Sequence, residues 1–245
     1  AYYEKYGREK TRKAMAKWVE LAILNARKNR KAQEYHNTTE HLDELVKKEP
    51  DADKFVPHLN LYDCSKVSDG ASSLLVLSEE GLKKCGINKT DAVQVIGIGE
   101  AEADITEDPE DKTVLSTTKI AVQKALKMAN LTLDEIAVLE IHDCFSITAL
   151  LSLEAIGFVK TGEASSFILA GNTEIGGKIP TNLSGGLIGF GHPTGASGVR
   201  QMVDLLYQLT KKAENQAEIK TPYGMMVSMG GNDKTVTCII VKQAV

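Results

Sequence analysis

The sequence predicts an α/β layered domain, and three observations carry that reading. Strand-like and helix-like patterns alternate along most of the 245 residues. An apolar run at residues 136–141 stops abruptly at His142, Asp143, Cys144 and Phe145. A third stretch, residues 182–198, holds six glycines and His192 directly ahead of an amphipathic helix.

Taken in order, residues 11–29 read as a helix with Met15, Trp18, Ala22 and Leu21 toward one side. Trp18, the only tryptophan, suits a core or interface anchor better than a ligand contact. Residues 36–57 are polar, acidic and punctuated by Pro50 and Pro57, which reads as loop or short irregular helix. The aliphatic run 72–77 reads as a buried strand, and 79–85 as a short helix that Gly86 caps, with Cys85 structural. Residues 93–98 form the next strand, and an acidic linker at 100–111 follows. Helix 117–129 turns Ala121, Ala125 and Met128 to one buried side. The strand 136–141 then leads into a helix over 146–156. Beyond the glycine run, Val199, Met202, Val203, Leu206 and Leu209 make an apolar helix stripe. Residues 224–229 and 235–241 read as paired strands, the latter rich in β-branched residues.

Composition narrows the function classes. A net charge of −4 argues against a general nucleic-acid surface. No apolar run reaches the roughly 20 residues that span a bilayer. Four scattered cysteines fit neither a zinc spacing nor a disulfide framework, which suits a reducing intracellular compartment. The first 35 residues carry ten Lys/Arg against four Asp/Glu, whereas 100–111 holds seven acids and no base. Such runs are usually solvated faces; the basic one also suits an anionic, phosphate-bearing ligand.

Two junctions carry the candidate chemistry. Glycine surrenders chain entropy, so six in seventeen residues require positive φ or close approach of backbone to a ligand. His192 is the one side chain in that run able to exchange a proton near neutral pH, although a packed histidine in a turn is an equal reading. At the other junction His142 and Cys144 alternate on extended backbone and so point the same way. The following helix N-terminus favours negative charge. Cys144 alone is weak evidence, because buried cysteine is common.

His142, Asp143, Cys144 and Phe145, then Ser184, Gly185 and Gly186 with the later Gly191, His192 and Pro193, then Ser228, Met229, Gly230 and Gly231 before a final strand, together resemble the thiolase superfamily. The sterol-carrier-protein type is the most similar, since it has His-Asp-Cys-Phe where other thiolases have Asn-Glu-Ala-Phe. It also lacks a cysteine in the last loop, as does this chain at Ser228. The resemblance implies an α/β thiolase fold, layered αβαβα. Residues 1–60 correspond to the end of a loop domain lying over coenzyme A, 61–91 to the end of the N-terminal domain, and 92–245 to the whole C-terminal domain. The family's N-terminal half, with its reactive cysteine, precedes the point where this chain begins, and none of Cys64, Cys85, Cys144 and Cys238 has that cysteine's context.

The implied activity is thiolysis of a 3-ketoacyl-CoA, or the reverse Claisen condensation, in fatty-acid or other lipid breakdown. No cofactor is bound permanently, and coenzyme A is the cosubstrate. The resemblance makes His142 and His192 donors to the thioester oxygen, each through Nε2, and Cys144 the general acid/base, with a pKa drawn toward working pH. Gly230 offers its backbone N–H to the acyl-enzyme oxyanion. Ser184, Gly185, Gly186 and Phe145 line the substrate channel. A homodimer or higher oligomer is implied, and a separate N-terminal fragment is a further partner to expect. The location implied is intracellular: peroxisome or mitochondrion in a eukaryote, cytoplasm in a prokaryote.

Other readings compete. A cysteine hydrolase on Cys144 and His192 lacks an orienting third residue beyond Asp143, and a metal site from His142, Cys144 and His192 lacks a fourth ligand. Dinucleotide binding fails at Glu102, where the fingerprint begun by Gly97 and Gly99 needs glycine. The strongest alternative is a catalytically silent, acyl-CoA-binding or scaffolding protein of thiolase type.

Overall fold

The computed structural model describes residues 1–244. The chain opens with α1 (Tyr2–Tyr6), α2 (Arg8–Ala26), α3 (Leu42–Val46) and α4 (Glu79–Lys84). It continues through β1 (Val93–Glu102), α5 (Ser116–Ala129), β2 (Ile136–Ile141), α6 (Ser146–Ile156) and α7 (Ala164–Leu169). It ends with α8 (Gly186–Gly189), α9 (Ser197–Leu209), β3 (Tyr223–Gly230) and β4 (Thr235–Gln243).

The four strands form one mixed sheet in the order β1-β4-β3-β2, with β2 and β3 parallel and the other two pairings antiparallel. Period-two alternation along β2 divides its side chains between two helical layers. Leu139 and Ile141 pack with Leu150 and Leu153 of α6 and Ala121 of α5, and α2 lies across α6, α7 and α8. Val138 points the other way, onto Leu205 and Leu209 of α9. The chain is therefore helix, sheet, helix, and both ends of the parallel pair lie between the layers.

Small residues set the spacing of the first layer. A Cβ built on Gly99 would lie 1.9 Å from the Ala121 carbonyl oxygen, and one on Gly97 2.5 Å from that of Ala125. The two glycines that imitate the start of a nucleotide fingerprint thus let α5 settle directly on β1.

Several sequence expectations fail, each for a tertiary reason. Residues 72–77 form no strand, and Leu75 and Val76 are exposed. An aliphatic run becomes a strand only beside an edge that can pair with it, and no strand of this sheet reaches it. Strand β1 runs on to Glu102, so the acidic run begins inside the sheet. On α5, Ala121 and Ala125 are buried but Met128 is 62% exposed, because the sheet contact is made by the helix's small residues. Cys85 is exposed rather than packed. On α9 the apolar stripe is only half-buried apart from Leu209, whereas Arg200, Gln201 and Gln208 are buried. Gln208 tolerates burial because both ends of its amide have partners: it donates to the Asn215 carbonyl at 2.8 Å and accepts from Ala217 N–H at 3.0 Å.

Substituting Gly99→Ala should lower stability by about 3 kcal/mol, since the clash is with helix backbone that cannot rotate away. Urea denaturation of both proteins measures it; a loss below ~0.5 kcal/mol would show that α5 is free to move off the sheet.

Candidate active site

The end of β2 is held by a residue far away in sequence. Asn182 accepts from Ile141 N–H through Oδ1 at 2.8 Å and donates through Nδ2 to the Ile141 carbonyl at 3.1 Å. Its own N–H donates to the Leu139 carbonyl at 3.0 Å, and its φ of 51° is one that asparagine tolerates. Asn182 therefore completes the strand edge one residue before His142.

Asp143 ties this end to two other elements. Its fully buried carboxylate accepts from Leu187 N–H at 2.7 Å and from the Trp18 indole N–H at 3.0 Å. A Cβ on Gly186 would stand 2.5 Å from Asp143 Oδ2, so the glycine loop reaches the carboxylate only because it has none. Trp18 is a core anchor, as the sequence indicates, with one polar partner.

Val138 and Glu140 face α9, and His142 continues that side. There the His142 and His192 rings meet edge to face, with centroids 5.0 Å apart and planes at 88°. His192 Nδ1 lies 2.7 Å from Ser197 Oγ in the first turn of α9, and its backbone N–H donates to Ser68 Oγ at 3.0 Å. A Ser197 hydroxyl aimed at Nδ1 puts the imidazole proton on Nε2; one aimed at the Pro193 carbonyl, 3.1 Å away, puts it on Nδ1.

The remaining residues singled out from the sequence are placed as follows. Cys144 is half-buried, its carbonyl accepting from Ser65 N–H at 2.9 Å, while Phe145 is exposed and pairs with Cys64. Among the described residues neither histidine hydrogen-bonds to Cys144 Sγ. Ser184 is buried, its hydroxyl donating to Asp204 at 2.8 Å and accepting from Arg200 at 2.8 Å. Arg200 also pairs with Asp204 and lies over the Phe190 ring. Gly185 and Gly186 both take positive φ, 116° and 61°. Gly230 ends β3 and is exposed, and Ser228 lies on the α9 side, beside Gly198. A cleft of about 1050 Å³ runs past Gly191, Pro193, Arg200 and Asp204 along α9, next to the histidine pair rather than on it.

Burial dominates the electrostatics. It pushes His142 down to about 4, helped by His192 and Arg200, and lowers His192 in the same direction. Both rings are thus neutral at neutral pH. Burial raises Asp143 to about 6 against the pull of its Leu187 and Trp18 donors. Cys144 is pushed up to about 11 by burial and then by the Asp143 charge, the reverse of the lowered value that a helix N-terminus and two histidines imply. The histidines cannot lower it while they are neutral. Glu140 and Asp204 are also raised by burial, against Arg200.

Sequence reasoning missed Asn182, Arg200 with Asp204, and Glu140. Only Glu140 carries a local signal, a charge in an otherwise apolar buried strand, which is costly without a purpose.

With this geometry in view, the comparisons with known proteins are direct. The family described as thiolase C-terminal domain-like matches residues 99–243. The chain is 37% identical over 244 residues to an acetyl-CoA acetyltransferase of Methanocaldococcus jannaschii, covering 97% of this chain and 60% of that protein. It is 36% identical over 177 residues to sterol carrier protein 2 of Rattus norvegicus, covering 70% of this chain and 31% of the relative. Among solved structures, the Ltp2-ChsH2(DUF35) aldolase superposes with a TM-score of 0.82 at 20% identity, over 99% of this chain and 60% of that one. The chain belongs to the thiolase family and has the thiolase fold, with relatives of the sterol-carrier type. It spans about 60% of the length of the M. jannaschii relative. Among the described residues no helix is long and apolar enough to cross a membrane.

The opposed shifts of His142 and Asp143 make a pH prediction. Asp143 rises from 3.8 to about 6, so its contribution to stability falls as pH rises through that window. His142 falls from 6.5 to about 4, so its contribution is lost as pH drops through the same window. Each shift is worth ~3 kcal/mol at most, and in the intact protein they offset one another. Asp143→Asn should therefore make stability rise from pH 4 to pH 6.5 by about 1–3 kcal/mol more than in the parent, and His142→Asn should make it fall by as much. Urea midpoints at the two pH values decide it; unchanged slopes in both variants would mean that neither group titrates as its burial requires.

Proposed function

We propose that this chain is the acid–base portion of a sterol-carrier-type thiolase acting on 3-ketoacyl-CoA, in lipid breakdown or in the reverse condensation. The observation that carries the reading is the pair of neutral imidazoles, 5.0 Å apart, where the end of β2 meets the start of α9. Two uncharged imidazoles this close, each presenting Nε2–H, would suit an enolate oxygen, which needs donors already in place when its charge develops. The names of the relatives, acetyl-CoA acetyltransferase and sterol carrier protein 2, support the substrate class.

In this reading residues 1–60 are the end of a loop domain, 61–91 the end of an N-terminal domain and 92–245 the C-terminal domain. The nucleophilic cysteine comes from sequence outside these 245 residues, on the same polypeptide or on a separate fragment. Its thiolate attacks the keto carbon of the substrate and becomes acylated. The carbon–carbon bond breaks, and its electron pair moves onto the departing acetyl-CoA as an enolate, whose oxygen takes hydrogen bonds from His142 and His192. Cys144 then gives its proton to the enolate carbon. A thiol held near 11 remains protonated and ready to donate, whereas the Ser228 hydroxyl is far too weak an acid to do so. The thiol of coenzyme A then passes its proton to the Cys144 thiolate and takes the acyl group, which releases the nucleophilic cysteine as thiolate; coenzyme A is consumed as cosubstrate and no other cofactor is needed. Gly230 contributes its N–H to the acyl-enzyme oxyanion. Phe145 and the backbone of Ser184, Gly185 and Gly186 border the substrate, since the Ser184 hydroxyl is already committed to Arg200 and Asp204. Assembly is as a homodimer or higher oligomer inside the cell, as in the family.

The test is acetoacetyl-CoA thiolysis by the protein carrying both portions. Cys144→Ala should reduce kcat by about 10²–10⁴ while leaving the thermal midpoint near that of the parent. The 245-residue chain alone should show no turnover. Acyl-CoA binding without thiolysis by the two-portion protein would overturn the enzyme reading in favour of a silent binding or scaffolding role.

A further inference from the structure

Between β2 and α9 lie buried polar atoms that no protein group satisfies among the described residues. Glu140 is 1% exposed, yet neither Oε1 nor Oε2 has a hydrogen-bond partner. His142 Nδ1 is in the same condition, as are Arg200 Nε and Nη2. Arg200 Nη1 stands 3.9 Å from Glu140 Oε2, beyond hydrogen-bond reach. Each such orphan costs about 1–3 kcal/mol, so a group of them in one layer calls for a shared explanation. Alternation along the strand puts Glu140 and His142 on the same side, roughly 7 Å apart along the backbone. The Glu140 carboxyl thus stands just beyond hydrogen-bond reach of a guanidinium with unused donors, in the same layer as the unpartnered His142 Nδ1. An ordered water would satisfy such buried orphans, which is the usual reason that polar atoms of this kind are tolerated.

The consequence concerns His142 and rests on its proposed role as an Nε2–H donor. Donation through Nε2 leaves a lone pair on buried Nδ1, which then needs a donor of its own. A charged carboxylate at Glu140 would draw the imidazole proton to Nδ1 and turn Nε2 into an acceptor, the wrong polarity for an enolate oxygen. A neutral carboxylic acid does the opposite, because its O–H supplies the donor. The charged and titratable groups facing Glu140 are Asp143 at the end of β2, Arg200 and Asp204 on α9, and, beyond His142, His192 from the glycine loop. Burial together with the two aspartates favours the neutral acid, while Arg200 opposes it. We infer that Glu140 is a positioning residue: through a bridging water it fixes His142 as the Nε2–H tautomer, without touching substrate.

The test compares the parent protein, Glu140→Gln and Glu140→Met, each carrying both portions and ¹⁵N-labelled at histidine, with the His142 signals assigned by His142→Asn. Parent and Glu140→Gln should both show the Nε2–H tautomer, since the glutamine amide also donates. Glu140→Met should lose that single tautomer, and kcat should fall about tenfold or more with KM within about twofold, a smaller loss than deleting an oxyanion donor outright. An unchanged His142 tautomer in Glu140→Met, or a switch to Nδ1–H in Glu140→Gln, would overturn the inference. The tautomer is read without turnover, so an enzyme that shifts as expected yet cleaves nothing would refute the thiolase reading and keep this one.

Discussion

The site depends on one buried carboxylate. Asp143 sits between His142 and Cys144, and its oxygens hold both α2, through Trp18, and the glycine loop, through Leu187, to the end of β2, beside the bonds that Asn182 makes to Ile141. Moving a carboxylate out of water costs several kcal/mol, and two N–H donors recover much of it only while both stay in place. Each element is therefore fixed relative to the others by the same ion. The loop must also be glycine at 186 to come close enough, which explains part of the glycine density around His192 without any ligand. A second clamp works alongside: Arg12 of α2 binds Asp63 at 2.5 Å, and Asp63 accepts from Ser146 Oγ at 2.6 Å at the start of α6. Both flanks of the His142 to Phe145 turn are thus held by carboxylates reaching α2.

Charge balance in this interior is uneven, and that has a chemical use. Glu140, Asp143 and Asp204 share the space with one guanidinium, Arg200. Burial raises all three acids and lowers both histidines. Both imidazoles are therefore neutral at neutral pH, and Glu140 is driven toward its neutral form, while Asp143, at about 6, keeps its charge. A neutral donor loses less on meeting a developing anion than one already paired with a counter-ion. The same environment keeps Cys144 a thiol, which suits an acid that protonates carbon and does not suit a nucleophile.

How much of this was legible in the sequence follows from what sets each element. Strand β2 and helix α6 are local patterns bounded by a sharp change of residue type, and they fall where periodicity puts them. Residues 72–77 have the composition of a strand, but strands exist only in pairs, and the sequence of one partner says nothing of the other. Helix α9 shows a clean apolar stripe, yet its most buried side chains include Arg200, Gln201 and Gln208; Ser184 and Asn215 from distant loops partner Arg200 and Gln208, which the helix pattern does not show. Trp18 was readable as an anchor, while its bond to Asp143, 125 residues away, was not. The two histidines were readable as candidates from their junctions; their convergence was not, since it depends on how α9 crosses the sheet.

One short segment joins the site to the uncovered part of the surface. Ser65 N–H donates to the Cys144 carbonyl, and three residues on, roughly 10 Å of extended chain, Ser68 receives the His192 N–H. Gln33 steadies this passage through the Val67 carbonyl and the Ser68 hydroxyl, and Gly70 lies so near Pro193 that a Cβ there would come within 2.8 Å of its ring. The segment then runs directly into Leu74, Leu75 and Val76, an aliphatic run open to solvent. Apolar exposure of that kind favours a partner. The backbone of residues 65–70 thus connects this exposed run to the turns that carry Cys144 and His192, with Gly70 packed against Pro193.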